Sequence, residues 1–311
     1  MMRYALLLFV VASTLSAAEP LGGVYEAAVV PGSPKMTASA LVWWKDKLIV
    51  ADRGNKRLLA FTPPDKFETF VEIDSPFGIA VDVNGDLIVT EKAVADKSVT
   101  NRLLRVKPDG TKETIITEDV GSPHFVAVHP KGTICWSGFP DGGTRSLNPG
   151  GKVTIHTPRI GHTYGICFTP QHDCLLVSSK LPNADRRSVY RFPVDKDGTI
   201  GEGAEFFKTQ DLLPMIDKLP VAKDGSKNLV GWLGRLQGMT VDAAGNIYIA
   251  GAESHTAGEA IAAITPGGKS VKAMILGVPR NVTCMAFGGK DGRTLYITGS
   301  GEYPLYAATL P

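Results

Sequence analysis

The chain has 311 residues, of which 43% are hydrophobic and 21% are charged, and its formal net charge is +2. This much apolar content with so few charges indicates a folded globular protein and excludes a disordered chain. A net charge so close to zero argues against electrostatic binding to nucleic acid or to a membrane surface. No apolar run approaches the roughly 20 residues of a membrane-spanning helix, so we expect neither a membrane span nor a nucleic-acid partner.

The first 18 residues have the organisation of a secretory signal peptide. Arg3 supplies a positive charge, residues 5–12 form an apolar segment, and Ser16-Ala17-Ala18 offers small residues for cleavage. The alternative is a buried N-terminal helix. We therefore expect residues 1–18 to be removed and the mature protein to be secreted or periplasmic.

One pattern recurs along the rest of the chain: a short apolar strand, a turn rich in Asp, Asn, Gly or Lys, and a second apolar strand. In chain order, its six copies cover residues 40–52, 78–91, 126–137, 165–178, 238–250 and 285–298. Further β-branched or aromatic segments follow most copies. Units of about 40 to 50 residues with up to four short strands are typical of β-propeller blades. The sequence therefore predicts an all-β, six-bladed propeller with four-stranded blades, formed as a single domain by residues 19–311.

The last repeat leaves room for only three strands before Pro311. Residues 24–30 are therefore predicted to supply the fourth strand of this blade and to close the ring, which removes the edges that an open array would expose.

Long insertions are expected to crowd one mouth of the central channel. They cover residues 92–101, 180–187, 208–236 and 253–259. The insertion at 208–236 contains apolar groups such as Trp232-Leu233, so we expect it to pack as a lid or wall. Long loops on a rigid scaffold often carry binding sites, although filling an oversized entrance is the alternative.

The residue before each inner strand is predicted to point into this mouth. By position in the repeat, these residues are Ala38, Phe77, His124, Tyr164, Gln237 and Thr283. The last five are candidate ligand-binding residues, because they combine hydrogen-bonding and aromatic groups. Nearby loops add His162, Arg235, Glu253 and His255. The alternative is that His124 and Tyr164 only fill a narrow channel.

Four cysteines remain to be assigned: Cys135, Cys167, Cys174 and Cys284. None has the Cys-x-x-Cys spacing of a zinc or redox site. An oxidising compartment would permit disulfides, and separate buried thiols are the alternative.

Several of the repeats resemble two related groups of six-bladed propellers. Residues 48–58, which read Leu-Ile-Val-Ala-Asp-Arg-Gly-Asn-Lys-Arg-Leu, look like an NHL repeat. Residues 237–250 and 285–298 are similar to the senescence-marker-protein/gluconolactonase family. For that family, the resemblance implies a calcium or zinc ion, held by Glu, Asn and Asp side chains, that polarises a sugar-lactone carbonyl for attack by water.

This chain departs from the ligand set that the resemblance implies. The family Glu falls on Ala38 or Ser39, the Asn on Tyr164, the Asp on Gln237, and a further Asn on His124. Loss of both carboxylates removes most of the negative charge that would hold a divalent cation. We therefore expect no metal and no other cofactor, unless a site has been rebuilt from His124, His162 and loop carboxylates.

Two functions follow from this resemblance and its departures. The first is a monomeric binding protein that holds a small polar, carbohydrate-like ligand or a protein partner at the channel mouth. The alternative is a lactonase-like hydrolase of sugar lactones or esters, which would use calcium or zinc if it keeps a metal. In that case His124 or His162 would be the general base, and Tyr164 or Arg235 would stabilise the oxyanion.

Overall fold

A computed structural model describes residues 21–95, 98–138, 143–156, 160–180, 187–212, 214, 235–252, 260–279, 282–299 and 301–311. Their strands form six sheets, in each of which the strands are ordered outward from an inner strand. The inner strands of neighbouring sheets contact one another, and that of the last sheet contacts that of the first. The predicted six-bladed β-propeller is therefore confirmed. We call the end of the channel at which the inner strands begin the channel mouth.

The chain starts with two short strands, β1 (Gly23–Glu26) and β2 (Ala28–Val29), before the first three blades. From the inner strand outward, blade 1 is β3 (Ala38–Trp44), β4 (Lys47–Asp52), β5 (Arg57–Thr62) and β6 (Lys66–Glu72). Blade 2 is β7 (Pro76–Val81), β8 (Leu87–Ala95), β9 (Ser98–Val106) and β10 (Lys112–Ile116). Blade 3 is β11 (Pro123–Val128), β12 (Ile134–Gly138), β13 (Thr144–Leu147) and β14 (Val153–His156).

The remaining three blades follow in the same order. Blade 4 is β15 (His162–Phe168), β16 (Cys174–Lys180), β17 (Arg187–Pro193) and β18 (Ala204–Lys208). Blade 5 is β19 (Arg235–Val241), β20 (Ile247–Ala252), β21 (Ile261–Ile264) and β22 (Val271–Leu276). Blade 6 is β23 (Val282–Gly288), β24 (Thr294–Gly299) and β25 (Tyr306–Thr309).

The N-terminal segment joins the last two blades instead of serving only blade 6. β2 pairs antiparallel with β25, which supplies the predicted fourth strand of blade 6 with two residues. β1 pairs parallel with β22 and becomes a fifth strand on blade 5. The expectation of one strand over residues 24–30 is therefore corrected to two strands with different partners. Between them, the Ala27 N–H donates to the carbonyl of Leu276 over 2.8 Å.

The turns opposite the mouth show why Asp and Gly recur in the repeat. The Gly85 N–H donates to the Asp82 carbonyl over 3.0 Å, and the Asn84 N–H donates to the Asp82 carboxylate over 2.8 Å. Gly85 has a φ of 78°, which a glycine adopts without steric cost. Asp242 and Gly245 form the same turn in blade 5. The side chain and the glycine together fix the hairpin between the first two strands.

The apolar core lies between neighbouring blades, and buried tryptophans also join the blades by hydrogen bonds. The Trp44 indole N–H of blade 1 donates to the Gly85 carbonyl of blade 2 over 2.8 Å. Trp136 of blade 3 is fully buried, and its indole N–H donates to the Val120 carbonyl over 2.9 Å. Each indole therefore fills space between elements while its polar group stays satisfied.

All four cysteines are free thiols, so the structure has the separate thiols that the sequence left as one of two possibilities. Burial raises the pKa of Cys167 to about 12 and that of Cys284 to about 11. Thiols with such pKa values are protonated at neutral pH and react slowly.

Several sequence predictions lie wholly or largely outside the described residues. These are the signal peptide at 1–18, most of the insertion at 180–187, the loop at 253–259 and most of the insertion at 208–236. At the start of that insertion, a 3₁₀ turn (Thr209–Leu212) packs Leu212 against blades 4 and 5. None of the described helical turns is long and apolar enough to cross a membrane.

Candidate ligand site at the channel mouth

A β-bulge marks the beginning of every inner strand. The pairing with the second strand shifts register between Ala38 and Ala40, Pro76 and Ile79, Pro123 and Val126, Thr163 and Ile166, Leu236 and Met239, and Val282 and Cys284. A bulge bends the strand and changes the direction of a side chain. The residues predicted to face the mouth fall within these bulges in five blades, and in blade 1 the bulge residue is Ser39 rather than Ala38.

Glycines within two of the bulges allow neighbouring inner strands to approach closely. A Cβ atom on Gly78 would lie 2.5 Å from the His124 carbonyl oxygen, and one on Gly238 would lie 2.6 Å from that of Thr283. Both distances are too short for a carbon atom beside an oxygen. The absence of a side chain at Gly78 therefore lets blade 2 pack against blade 3, which brings Phe77 next to His124.

Three aromatic side chains from consecutive blades meet at the mouth. The rings of Phe77 and His124 are stacked, with centroids 5.1 Å apart and planes 28° apart. Tyr164 meets His124 in an edge-on arrangement with a centroid distance of 6.0 Å. All three side chains are half-buried. We call Phe77, His124 and Tyr164 the aromatic cluster.

A buried hydroxyl holds the backbone beneath this cluster. The Thr90 hydroxyl accepts a hydrogen bond from the Gly78 N–H over 2.7 Å and donates to the His124 carbonyl over 2.5 Å. Thr90 is fully buried on the second strand of blade 2. Because it bonds to both inner strands, it fixes the positions from which Phe77 and His124 project.

Two cations approach the aromatic cluster from the first two blades. The Arg53 guanidinium carbon lies 4.7 Å from the centroid of the Phe77 ring, and the Lys92 ammonium lies 4.5 Å from the same centroid. Arg53 is exposed and Lys92 is half-buried. In the sequence, Arg53 directly follows Asp52 and Lys92 directly follows Glu91. Both carboxylates are buried, and each residue pairs with the first residue of the inner strand of its own blade.

These two carboxylates are engaged with cations on the third strand of their own blade. Asp52 accepts hydrogen bonds from the Asn55 amide over 2.8 Å and from the Arg57 guanidinium over 2.9 Å. Glu91 forms an ion pair with Arg102. Both carboxylates are almost completely inaccessible to solvent. Their charges are therefore balanced within the blades.

The electrostatic environment keeps the His124 imidazole neutral. Burial, followed by the positive charges of Lys92 and Arg53, lowers the pKa of His124 from 6.5 to about 3. A neutral imidazole presents one hydrogen-bond donor and one acceptor at physiological pH. It is a weak base, whereas general bases work best with a pKa near the operating pH.

The mouth residues of blades 6 and 1 are used differently. Thr283 is only 8% exposed, and its hydroxyl donates to the Ala38 carbonyl over 3.1 Å. The Ser39 hydroxyl lies 2.9 Å from the carbonyl oxygens of both Pro76 and Phe77, between which its single O–H donor is shared. These hydroxyls join neighbouring inner strands. A ligand contact by Thr283 stays a prediction.

Beyond the mouth, the channel is lined mainly by apolar side chains. A cavity of about 310 Å³ extends toward the ends of the inner strands, where Val81, Val128 and Phe168 line it together with His172 and Thr240. The aromatic cluster does not line this cavity and belongs to the mouth.

The sequence of residues 37–301 matches the family model described as the SMP-30/Gluconolactonase/LRE-like region. The chain belongs to this family. The match runs from the beginning of blade 1 into blade 6 and ends before β25. Among curated proteins, no sequence matches.

Solved structures of this gluconolactonase-like family share the fold at low sequence identity. A gluconolactonase from Xanthomonas campestris has 16% identity and a TM-score of 0.67, with 92% of this chain and 89% of the other covered. A luciferin-regenerating enzyme has 16% identity and a TM-score of 0.68, with 91% and 94% covered. Regucalcin from Agrobacterium tumefaciens, a calcium-binding protein, has 16% identity and a TM-score of 0.63, with 93% and 95% covered. These likenesses show the fold alone.

The described residues at the implied metal-ligand positions do not fit a divalent cation. Ala38 has no side-chain atom that could ligate a metal ion. The Ser39 hydroxyl is within hydrogen-bond distance of two carbonyl oxygens, and the Tyr164 ring packs on that of His124. Within the described ranges, no three His, Cys, Asp or Glu side chains are grouped so as to hold a metal ion. The expectation of no metal stays a prediction, because the Gln237 side chain lies outside the described part.

The structure describes the side chains of only some of the other residues that the sequence predicts for the site. His162 is half-buried at the start of β15. Arg235 and Gln237 lie on β19, but their side chains are outside the described part, as are Glu253 and His255.

Sequence reasoning missed Arg53 and Lys92 as members of the site. The signal was present in the repeat, since Leu-Ile-Val-Ala-Asp-Arg in blade 1 aligns with Leu-Ile-Val-Thr-Glu-Lys in blade 2. The alignment places a cation after a carboxylate in both blades.

Proposed function

We propose that this protein binds a small polar, carbohydrate-like ligand at the channel mouth and that it does so without a metal ion. The observation that carries this proposal is the aromatic cluster, in which three half-buried rings from three blades meet above an apolar channel. Aromatic faces can cover the C–H surface of a sugar, and polar ring atoms can hydrogen-bond to its hydroxyls.

A lactonase-like hydrolase is the second candidate, and family membership favours it. In that case His162 or His124 would act as general base, and Tyr164 or Arg235 would stabilise the oxyanion. The low pKa of His124, about 3, argues against its serving as a base at neutral pH. No described residues form a metal-holding group that could replace it.

The proposal includes export of the protein and action as a monomer. Residues 1–18 would be removed as a signal peptide, and the ligand would be met in a secreted or periplasmic location. If the ligand is a protein partner instead of a small molecule, one side chain of the partner would bind at the aromatic cluster. The mass of the exported protein tests whether residues 1–18 are removed, and its elution volume in gel filtration tests whether it is a monomer.

Ligand-induced shifts in melting temperature test the binding function. The mature protein would be heated with a panel of sugars, sugar acids and sugar lactones, and the same panel would be assayed for hydrolysis with calcium, zinc, manganese or chelator. We expect a higher melting temperature with at least one sugar-like compound, because a ligand that binds the folded state stabilises it. We expect no metal-dependent turnover.

A pair of tyrosine variants provides the control. Tyr164→Phe should reduce the ligand-induced shift, because Tyr164 belongs to the aromatic cluster. Tyr306→Phe, on β25 in the outer part of blade 6, should leave it unchanged. Metal-dependent turnover of a lactone or ester would instead establish the hydrolase. A panel without any melting shift or turnover would contradict both functions.

A further inference from the structure

We infer that the ligand carries a carboxylate, as a sugar acid does, and that Arg53 and Lys92 bind this group beside the Phe77 ring. The inference rests on the proposed function and names the chemical class of the ligand. It begins from the convergence of two cations, one from each of two neighbouring blades, on a single aromatic ring.

The two cations lie close enough to repel each other. Both charges are within 5 Å of one ring centroid, at 4.7 Å and 4.5 Å, so their separation is below about 10 Å, which is one Debye length at 0.1 M ionic strength. The Phe77 ring attracts each cation through its quadrupole but carries no net charge. An anion beside the ring would offset this repulsion.

The described carboxylates nearest in the repeat are already balanced. Asp52 pairs with Arg57, and Glu91 pairs with Arg102. Arg53 takes part in none of the ion pairs found among the described residues. The charged groups that act on His124 are likewise both positive. The two cations beside the Phe77 ring therefore act together on the neighbouring ring of the aromatic cluster.

The residue types indicate a carboxylate. A guanidinium presents two parallel N–H donors that match the two oxygens of a carboxylate, and an ammonium adds a point charge. The neutral imidazole of His124 can donate a further hydrogen bond. The adjoining aromatic cluster offers a surface for the rest of a small organic acid, so a sugar acid fits both parts of the site.

Calorimetric titration with glucuronate and with glucose tests the inference, since the two sugars differ in a carboxylate. At constant ionic strength, we expect glucuronate to bind at least about tenfold more tightly than glucose, and its affinity to fall with added salt. Arg53→Gln and Lys92→Gln should each weaken glucuronate binding about tenfold and weaken glucose binding by a much smaller factor. The matched control is Lys45→Gln, because the Lys45 ammonium lies 4.8 Å from the Trp44 ring at the opposite end of the channel.

The pKa of His124, followed by NMR of its ring protons, reports on the same site. A carboxylate bound to Arg53 and Lys92 should raise this pKa, because its negative charge offsets the two positive charges. Equal affinity for the two sugars, unaffected by the two cation variants, would overturn the inference while the proposed function stands. If neither sugar binds, the inference fails. The proposed function fails as well only if the whole panel of sugars and lactones gives no melting shift.

Discussion

Two parts of the channel mouth use the same backbone feature for different purposes. In blades 2, 3 and 4 the bulge residues Phe77, His124 and Tyr164 form a half-buried cluster of rings. In blade 6 and blade 1 the bulge residues Thr283 and Ser39 donate hydrogen bonds to carbonyls of the neighbouring blade. The first group is available to a ligand, whereas the second joins blades.

The two parts of the mouth differ in which residue supplies the hydroxyl group that hydrogen-bonds one blade to the next. Between blades 2 and 3, Thr90 on the second strand bonds to both inner strands. Within blade 3, the Ser137 hydroxyl accepts from the Phe125 N–H over 3.1 Å, a bond between two strands of one blade. Between blades 6 and 1, the bulge residue Thr283 supplies the hydroxyl itself. At the junction of blades 2 and 3, the bulge positions can therefore carry the rings of Phe77 and His124, because Thr90 already provides the hydrogen bonds between the inner strands.

The largest expected effect comes from filling the space at the bulge glycines. Gly78→Ala and Gly238→Ala should each lower the free energy of unfolding by about 3 kcal/mol, because the added Cβ would meet backbone of the next blade. Urea unfolding measures both. Only Gly78→Ala should move the NMR signals of the His124 ring.

Gly267→Ala is the control for these variants, because a Cβ at that position meets no atom within 4 Å. Its unfolding free energy should stay within about 0.5 kcal/mol of the wild type. A Gly78→Ala variant as stable as this control would show that the inner strands do not need their close approach.

The next effect is the contribution of His124, in the aromatic cluster, to the pH dependence of stability. The pKa of folded His124 is about 3, compared with about 6.5 in an unfolded chain. Between these values the unfolded chain binds a proton that the folded protein does not, so stability falls as the pH falls below about 6.5. The loss should approach about 1.4 kcal/mol per pH unit, or about 2.5 kcal/mol between pH 6 and pH 4.

Unfolding measurements on wild type and His124→Phe at several pH values isolate this contribution, since phenylalanine keeps a ring but does not titrate. Lys92→Gln should raise the pKa of His124 and reduce the pH dependence, whereas Lys45→Gln should leave both unchanged. Equal pH dependence in wild type and His124→Phe would contradict the buried, neutral state of His124.

The blades could be predicted from the sequence because alternation and Asp-Gly turns are local signals. The strand pair over residues 40–52, for example, contains both strands and the turn of one hairpin. The split of residues 24–30 could not be predicted in this way. A short apolar segment can pair with either of two exposed strands, and its partner depends on how the ends of the chain meet.

The aromatic cluster was predictable for a related reason, whereas its cations were not. Phe77, His124 and Tyr164 each precede an apolar inner strand, so their place follows from the repeat. Arg53 follows the second strand of blade 1, where its surroundings indicate an ordinary polar turn. That its side chain reaches a ring on blade 2 depends on the packing of two blades, which no local pattern encodes.

The smallest expected effects come from removing one hydroxyl group in each of the two parts of the mouth. Thr283→Val keeps the shape of the side chain but leaves the Ala38 carbonyl without this donor, so it should lower the unfolding free energy by about 1 kcal/mol. Tyr164→Phe should instead weaken ligand binding by about fivefold, the effect of losing one hydrogen bond to the ligand. Urea unfolding and calorimetric titration of both variants measure the two effects. If Thr283→Val weakened the ligand and left stability unchanged, Thr283 would be a ligand contact, as the sequence predicts, and the site would extend around the mouth into blade 6.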